Sequence, residues 1–230
     1  MDKLLTLPTN RLLAKFGSGG HKPGSGSAAA LVALISCQML RTVITLSNGR
    51  DEYSGVKDQL TLVNQKMADD IEPFLTKAVQ EDSVRFDRVI KARQARNNAE
   101  KGTSERKKLA EQALEELREA TEPPVKIAEL SIELGEKALS VFDLGFKSAR
   151  GDSGVAISSA ASAASSALSI IYLNLTSFKG SEWARDTRSK ADELSKKLQL
   201  LQIELFTRVD RLRQEVINKE GELDASGKRR

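Results

Sequence analysis

The stretch ADELSKKLQLLQIELFTRVDRL, residues 191–212, places apolar side chains at Ala191, Leu194, Leu198, Leu201, Leu205, Val209 and Leu212, steps of three and four throughout. That spacing puts every one of them on a single helical face. Ala184, Thr187 and Val216 extend the same face in both directions, so one long amphipathic helix runs from Ala184 to Val216. Beyond it, Glu220 to Arg230 is polar and basic and predicts a frayed tail after a domain of residues 1–219.

Working back toward the N-terminus, Ala156 to Leu175 is dense in Ala and Ser. Small side chains let backbones approach closely, which predicts a central helix packed on several neighbours. Leu60, Val63, Met67, Ile71, Phe74 and Ala78 form another 3-4 stripe with a kink expected at Pro73, continuing past Ile90. Lys91 to Ser104 then reads as a helix end and linker. A further pattern from Ser104 through Leu109, Ala113 and Leu117 is expected to break at Pro123-Pro124 and resume at Ile127, Leu130, Leu134, Ala138 and Val141. Gly145 to Gly154 is the next expected breaker. Near the start, Leu4 to Phe16 suggests a short helix, and Ser27 is the expected cap of one that ends at Asn48-Gly49. No segment alternates like a strand, so the fold class is all-α, an up-and-down helical bundle.

Composition narrows the chemistry. The 230 residues are 40 % hydrophobic but 4 % aromatic, and 36 Lys and Arg against 32 Asp and Glu leave a net charge of +4. Mixed signs and few stacking rings make nucleic acid a poor partner, although Arg85 to Arg96 and Lys228-Arg229-Arg230 are basic. The single Cys37 and single His21 leave no disulfide framework and little for a metal site or a Ser-His-Asp triad, so no metal is expected. Cys37 reads as core. No secretory leader is visible, and polar residues interrupt Ala28 to Leu46, leaving less than the roughly 18 apolar residues a membrane span needs. A cytoplasmic protein without a membrane partner is the expectation.

Three places break the bundle rules. Five of the 15 glycines lie between Gly17 and Gly26, and the loop Pro23-Gly24-Ser25-Gly26-Ser27 runs into a helix N-terminus, where free N–H groups favour an anion. Asp82 falls on the next turn of the stripe that should be buried, and Asn174 does the same on the small-residue helix. Asp152, in Arg150-Gly151-Asp152-Ser153-Gly154, is the expected N-cap of that helix and would stay ionised there. Each also has an ordinary structural explanation: a mobile connector, a structural ion pair, a cap.

These residues, in this order, resemble the cyclodeaminase/cyclohydrolase family of folate enzymes. The family's Pro-Gly-Gly-Gly-Ser-Ala-Ala-Ala is matched by Pro23 to Ala30, and its Asp-x-x-x-Phe-Asp-x-Val by Asp82, Phe86, Asp87 and Val89. Ala120-Thr121-Glu122-Pro123-Pro124 resembles its Ala-Thr pair before a Pro-led helix. Its Ser-Asp-Ala-Gly-Val-Ala corresponds to Gly151 to Ala156, and its Asn-Leu to Asn174-Leu175.

The resemblance implies a homodimeric or larger assembly acting on a tetrahydrofolate derivative, with no cofactor beyond that substrate. The activity would be formiminotetrahydrofolate cyclodeaminase or methenyltetrahydrofolate cyclohydrolase. By the resemblance Asp152 is the catalytic carboxylate and Asp82 a second acid/base or pterin anchor. Pro23, Gly24, Ser25, Gly26, Ser27, Asp87, Lys91 and Asn174 are expected to bind substrate, the folate glutamate tail lying at the start of the glycine-loop helix. The alternative is a non-catalytic scaffold of the same fold that binds partners through Ala184 to Val216.

Overall fold

The computed structural model describes residues 4–226, which form helices and connecting turns and contain no strand. In order they are a 3-10 turn at Leu4–Thr6, α1 (Thr9–Phe16), α2 (Ser25–Asn48), a 3-10 segment at Asp51–Val56 and α3 (Lys57–Lys66). A π-helical turn at Met67–Ile71 leads into α4 (Glu72–Asn98), followed by α5 (Ser104–Leu144), a 3-10 turn at Lys147–Ala149, α6 (Arg150–Leu175) and α7 (Glu182–Ser226).

α6 is the centre of the bundle. It packs on α2, α5 and α7, and its Ala156, Ala160, Ala163, Ala164 and Ala167 are fully buried. Ala30, Ala33 and Cys37 of α2 meet it with equally small surfaces. Ser36 Oγ donates to the Ala156 carbonyl at 2.7 Å, a bond between side chain and backbone that joins the two helices. α5 and α7 also approach closely: a Cβ on Gly135 would overlap the Leu201 side chain, standing 3.0 Å from Cδ1. Leu194, Leu198 and Leu201 are buried as the heptad-like spacing predicts, but Val209 and Val216 are exposed, because α7 turns those positions toward its flank.

Several expectations about helix ends are corrected. Pro8 divides the first segment into a 3-10 turn and α1. α4 continues through Lys91 to Asn98, so the linker shrinks to residues 99–103, and Thr103 caps α5 by accepting from Arg106 N–H at 3.2 Å. α5 passes through Pro123 and Pro124 without a break, held by neighbours on both sides. The breaker at Gly145 to Gly154 is shorter than expected: α6 already begins at Arg150, so Asp152 lies inside its first turn and Ala149 is the capping position. α2 starts at Ser25, two residues before the expected cap Ser27, and ends at Asn48 as expected. The polar tail is helical as far as Ser226; Lys228-Arg229-Arg230 lies outside the described residues.

The π turn has a larger effect. It inserts one residue per turn ahead of Pro73, rotating α4 relative to α3. Ile71 and Ala78 are buried as expected, Leu75, Val79 and Ser83 join them, and Phe74 and Asp82 are half-buried at the flank. Asp82 is left at the margin of the core, beside an opening.

By length and composition Ser25–Asn48 and Lys147–Leu175 are both long and apolar enough to cross a membrane, despite the polar interruptions in the first. In the bundle these are its central pair, with 44 % and 50 % of their most apolar windows buried.

Candidate functional site

The opening beside Asp82 is a cleft of about 520 Å³. The glycine loop forms one wall with His21, Pro23, Gly24 and Ser25; Asp82, Phe86 and Arg93 of α4 form another. Ala120 of α5 and the last turns of α6, with Leu173 and Asn174, close it, and Thr176 and Ser177 lie at its rim.

Asp82 is held by the start of α2. That helix has no side-chain cap of its own: Gly24, at the capping position, is extended (φ −94°, ψ −175°). The Asp82 carboxyl, coming from α4, takes the cap's place and accepts from the Ser27 N–H. Gly24 and Gly26 make room for it. A Cβ on Gly24 would lie 2.8 Å from Asp82 Oδ2, and one on Gly26 would lie 2.6 Å from Cγ and closer still to Oδ1. The anion-binding helix start expected from the sequence is thus already occupied by a carboxyl of the same chain.

Burial raises the Asp82 pKa above its ordinary value, outweighing the Ser27 hydrogen bonds that favour the anion. Ser27 Oγ donates to the Val79 carbonyl at 2.8 Å and lies 3.4 Å from Asp82 Oδ2 as a second, longer contact. A carboxyl with a raised pKa at the edge of a cleft is suited to moving a proton.

The loop is pinned by a second carboxylate. Asp87 Oδ1 lies 2.9 Å from Lys22 Nζ and 3.5 Å from His21 Nε2, and its Oδ2 lies 3.2 Å from Lys91 Nζ. Lys22 and Lys91, with His21, lower the Asp87 pKa to about 2. Asp87 and Lys91 are therefore engaged with each other and the loop, and neither lines the cleft. Two more of the basic run are ion-paired, Arg85 with Glu81 and Arg88 with Glu116 and Glu119, while Arg96 donates only to the neighbouring Asn97 amide oxygen. Among the described residues Arg93 has no ion pair, and it is the member of the run that faces the cleft. The sequence presents it only as one charge in a series; its position on the cleft side of α4 singles it out.

Asn174 reaches the cleft from α6 and donates through Nδ2 to Thr121 Oγ1 at 3.1 Å. Cys37 is fully buried, and burial pushes its thiol up to about 12, so it is core as expected.

The comparisons fit this arrangement. The formiminotransferase-cyclodeaminase family model matches residues 8–193, a span that holds every cleft residue. The chain belongs to the formiminotransferase-cyclodeaminase family. It is 27 % identical over 202 residues, 88 % of this chain and 92 % of the relative, to methenyltetrahydrofolate cyclohydrolase of Methylorubrum extorquens. The same fold occurs in formiminotetrahydrofolate cyclodeaminase from Thermotoga maritima, with a TM-score of 0.78 at 14 % identity over 91 % of this chain and 98 % of that one.

Within the family's motifs, the structure joins some elements and separates others. Asp82, the glycine loop and Asn174 converge on the cleft. Asp152 does not join them: it lies at the first turn of α6 while Asn174 lies at its last, roughly 33 Å away along the helix. Its neighbours Gly151 and Gly154 instead line a groove against α7, with Leu205, Arg208 and Leu212.

Proposed function

We propose that the protein makes or opens the methenyl bridge of tetrahydrofolate, as a formiminotetrahydrofolate cyclodeaminase or a methenyltetrahydrofolate cyclohydrolase, with Asp82 as the proton-handling group. The observation that carries this reading is the half-buried carboxyl of Asp82, set against Gly24 and Gly26, raised in pKa and lining a cleft large enough for a bicyclic ring.

In the deaminating direction N10 attacks the formimino carbon and forms a tetrahedral centre, its own proton passing to the formimino nitrogen. Asp82 gives its proton to the departing amine, the C–N bond breaks, and ammonia leaves. The carboxylate produced then stands beside the amidinium cation of the methenyl product. Charge thus appears on the protein as it appears on the ligand, a form of electrostatic stabilisation. In the hydrolytic direction the carboxylate takes a proton from the water that adds to the methenyl carbon and returns it to N5 as the C–N5 bond breaks, while the hydroxyl proton goes to solvent and the carbon is left as a formyl group on N10. The nucleophile belongs to the substrate or to water, so the reaction draws on no further cofactor.

Arg93 takes the glutamate tail, in place of the α2 N-terminus that Asp82 fills. Asp152, distant along α6, takes no part in the chemistry of this cleft. The homo-oligomeric state implied by the resemblance belongs to the same proposal and is measured by sedimentation.

The experiment is a turnover assay with purified protein and either 5-formiminotetrahydrofolate or 5,10-methenyltetrahydrofolate, followed by methenyl absorbance. Appearance of the band from the first substrate identifies the cyclodeaminase, and accelerated loss from the second identifies the cyclohydrolase. No change with either, together with partner binding along α7, supports the scaffold alternative, which draws on the exposed Leu200, Ile203 and Phe206.

A further inference from the structure

The continuous course of α5 through Pro123 and Pro124 has a consequence for the cleft. In an α-helix the carbonyl of one residue accepts from the N–H four positions on, or three positions on where the helix tightens. Proline supplies neither N–H. For Ala120 those two donors are Pro124 and Pro123, so its carbonyl loses both. Glu119 loses Pro123 but retains Glu122 at the shorter spacing, and Thr121 retains Val125. The two adjacent prolines therefore leave one carbonyl without any helical donor, and it belongs to the α5 residue that lines the cleft.

Ala120 is a half-buried residue, and carbonyls at such positions are seldom left unmet; at a cleft they are met by water or by a ligand. Asn174 stands across from it on α6. One Nδ2 hydrogen goes to Thr121 Oγ1, next to Ala120, a bond that fixes the amide and sets its oxygen as a second acceptor in the same cleft beside the remaining N–H. Two acceptors on one side of a cleft call for a ligand edge that donates.

We propose that the Ala120 carbonyl, freed by the Pro123-Pro124 pair, is a specificity-determining acceptor that binds an exocyclic amino group on the substrate's heterocycle. This inference rests on the folate reading and deepens it: the group recognised is the 2-amino group of the pterin edge. A backbone acceptor suits the task because it has no protonation state to change and no rotamer to lose.

The test uses the full chain and the stable reduced folate 5-formyltetrahydrofolate, with binding measured by calorimetry. Pro124→Ala returns an N–H that closes onto the Ala120 carbonyl. Pro123→Ala returns one whose α-helical acceptor is Glu119 and which meets Ala120 only at the shorter, weaker spacing, so it serves as the control, since each variant removes one proline from the helix interior. Pro124→Ala is expected to weaken binding about tenfold while Pro123→Ala stays within about twofold of the natural protein. A 2-desamino-2-methyl analogue is expected to bind the natural protein about tenfold more weakly than its parent, and Pro124→Ala is expected to abolish that difference. Equal loss in both variants, or no loss in either, overturns the assignment. So does a natural protein that fails to distinguish the analogue from its parent, a result that needs no variant to fold. Failure of the natural protein to bind any reduced folate overturns the folate reading, and this assignment with it.

Discussion

Gly26 of α2 and Asp82 of α4 share one space: the carboxyl occupies the position where a side chain on residue 26 would begin, 2.6 Å from Cγ. The glycine is there for the aspartate. A flexible loop is not what the position requires, since Gly26 is buried in the first turn of a helix. The pair ties the most glycine-rich part of the chain to the one carboxyl that α4 presents to the cleft.

Gly26→Ala therefore displaces the Asp82 carboxyl. It is expected to cost about 1–3 kcal/mol of stability and to abolish turnover. In an Asp82→Ala background the same substitution is expected to cost much less, because the clash has gone. A double-mutant cycle by denaturant unfolding measures the coupling, and additive values would contradict the shared space.

Asp82→Asn separates stability from activity. The folded-state pKa of Asp82 lies above its ordinary 3.8, so its neutral form is the one the fold prefers. Its contribution is complete below the unfolded value and is lost as pH rises through the folded one. Asparagine stays neutral, so the variant is expected to melt higher than the natural protein at pH 8, with a gap that narrows toward acid. Turnover is expected to fall about 10²- to 10⁴-fold. Melting curves across pH, paired with the absorbance assay, check both statements.

The loop clamp at Asp87 has the opposite sign. Its folded pKa of about 2 lies below 3.8, so the Lys22 and Lys91 pairs stabilise the loop above pH 3.8 and release it as pH falls toward 2. Hydrogen exchange of the backbone over residues 17–24, corrected for its intrinsic pH dependence, is expected to rise in that window. In Asp87→Asn the loop is expected to be loose at neutral pH as well, with little change in global melting, because the pairs are partly exposed.

Arg93→Ala is expected to raise KM about tenfold and to leave kcat close to its natural value, since a tail contact is the same in ground and transition states. Added salt is expected to narrow the difference between variant and natural protein. A fall in kcat with unchanged KM would move Arg93 from the tail to the reacting atoms.

Far from the cleft, Gly135→Ala is expected to destabilise the bundle by about 1–3 kcal/mol through overlap with Leu201, and Leu201→Ala in the same chain is expected to offset part of that loss. Thermal melting of the two single variants and the double variant measures it.

The sequence by itself determined the helices, because the 3-4 spacing of Leu194, Leu198 and Leu201 and the small-residue run of α6 are local patterns that need no partner to be read. It also marked Asp82, the glycine loop and Asn174 as exceptions to those patterns, and its ordered motifs pointed to the family. What it left undecided depended on neighbours. Pro123 and Pro124 read as a break, but packing on both sides of α5 carries the helix through them. Ser27 and Asp152 read as caps, but Asp82 from another helix caps α2, and the turn before α6 winds up before Asp152 is reached. Arg93 was one charge among five until ion pairs engaged Arg85, Arg88 and Lys91, and the cleft took Arg93 and not Arg96 into its lining. Only the tertiary structure brought Asp82 to the glycines and held Asp152 away, because the distance between two residues on different helices, or at opposite ends of one, is set by packing and length and not by residue type.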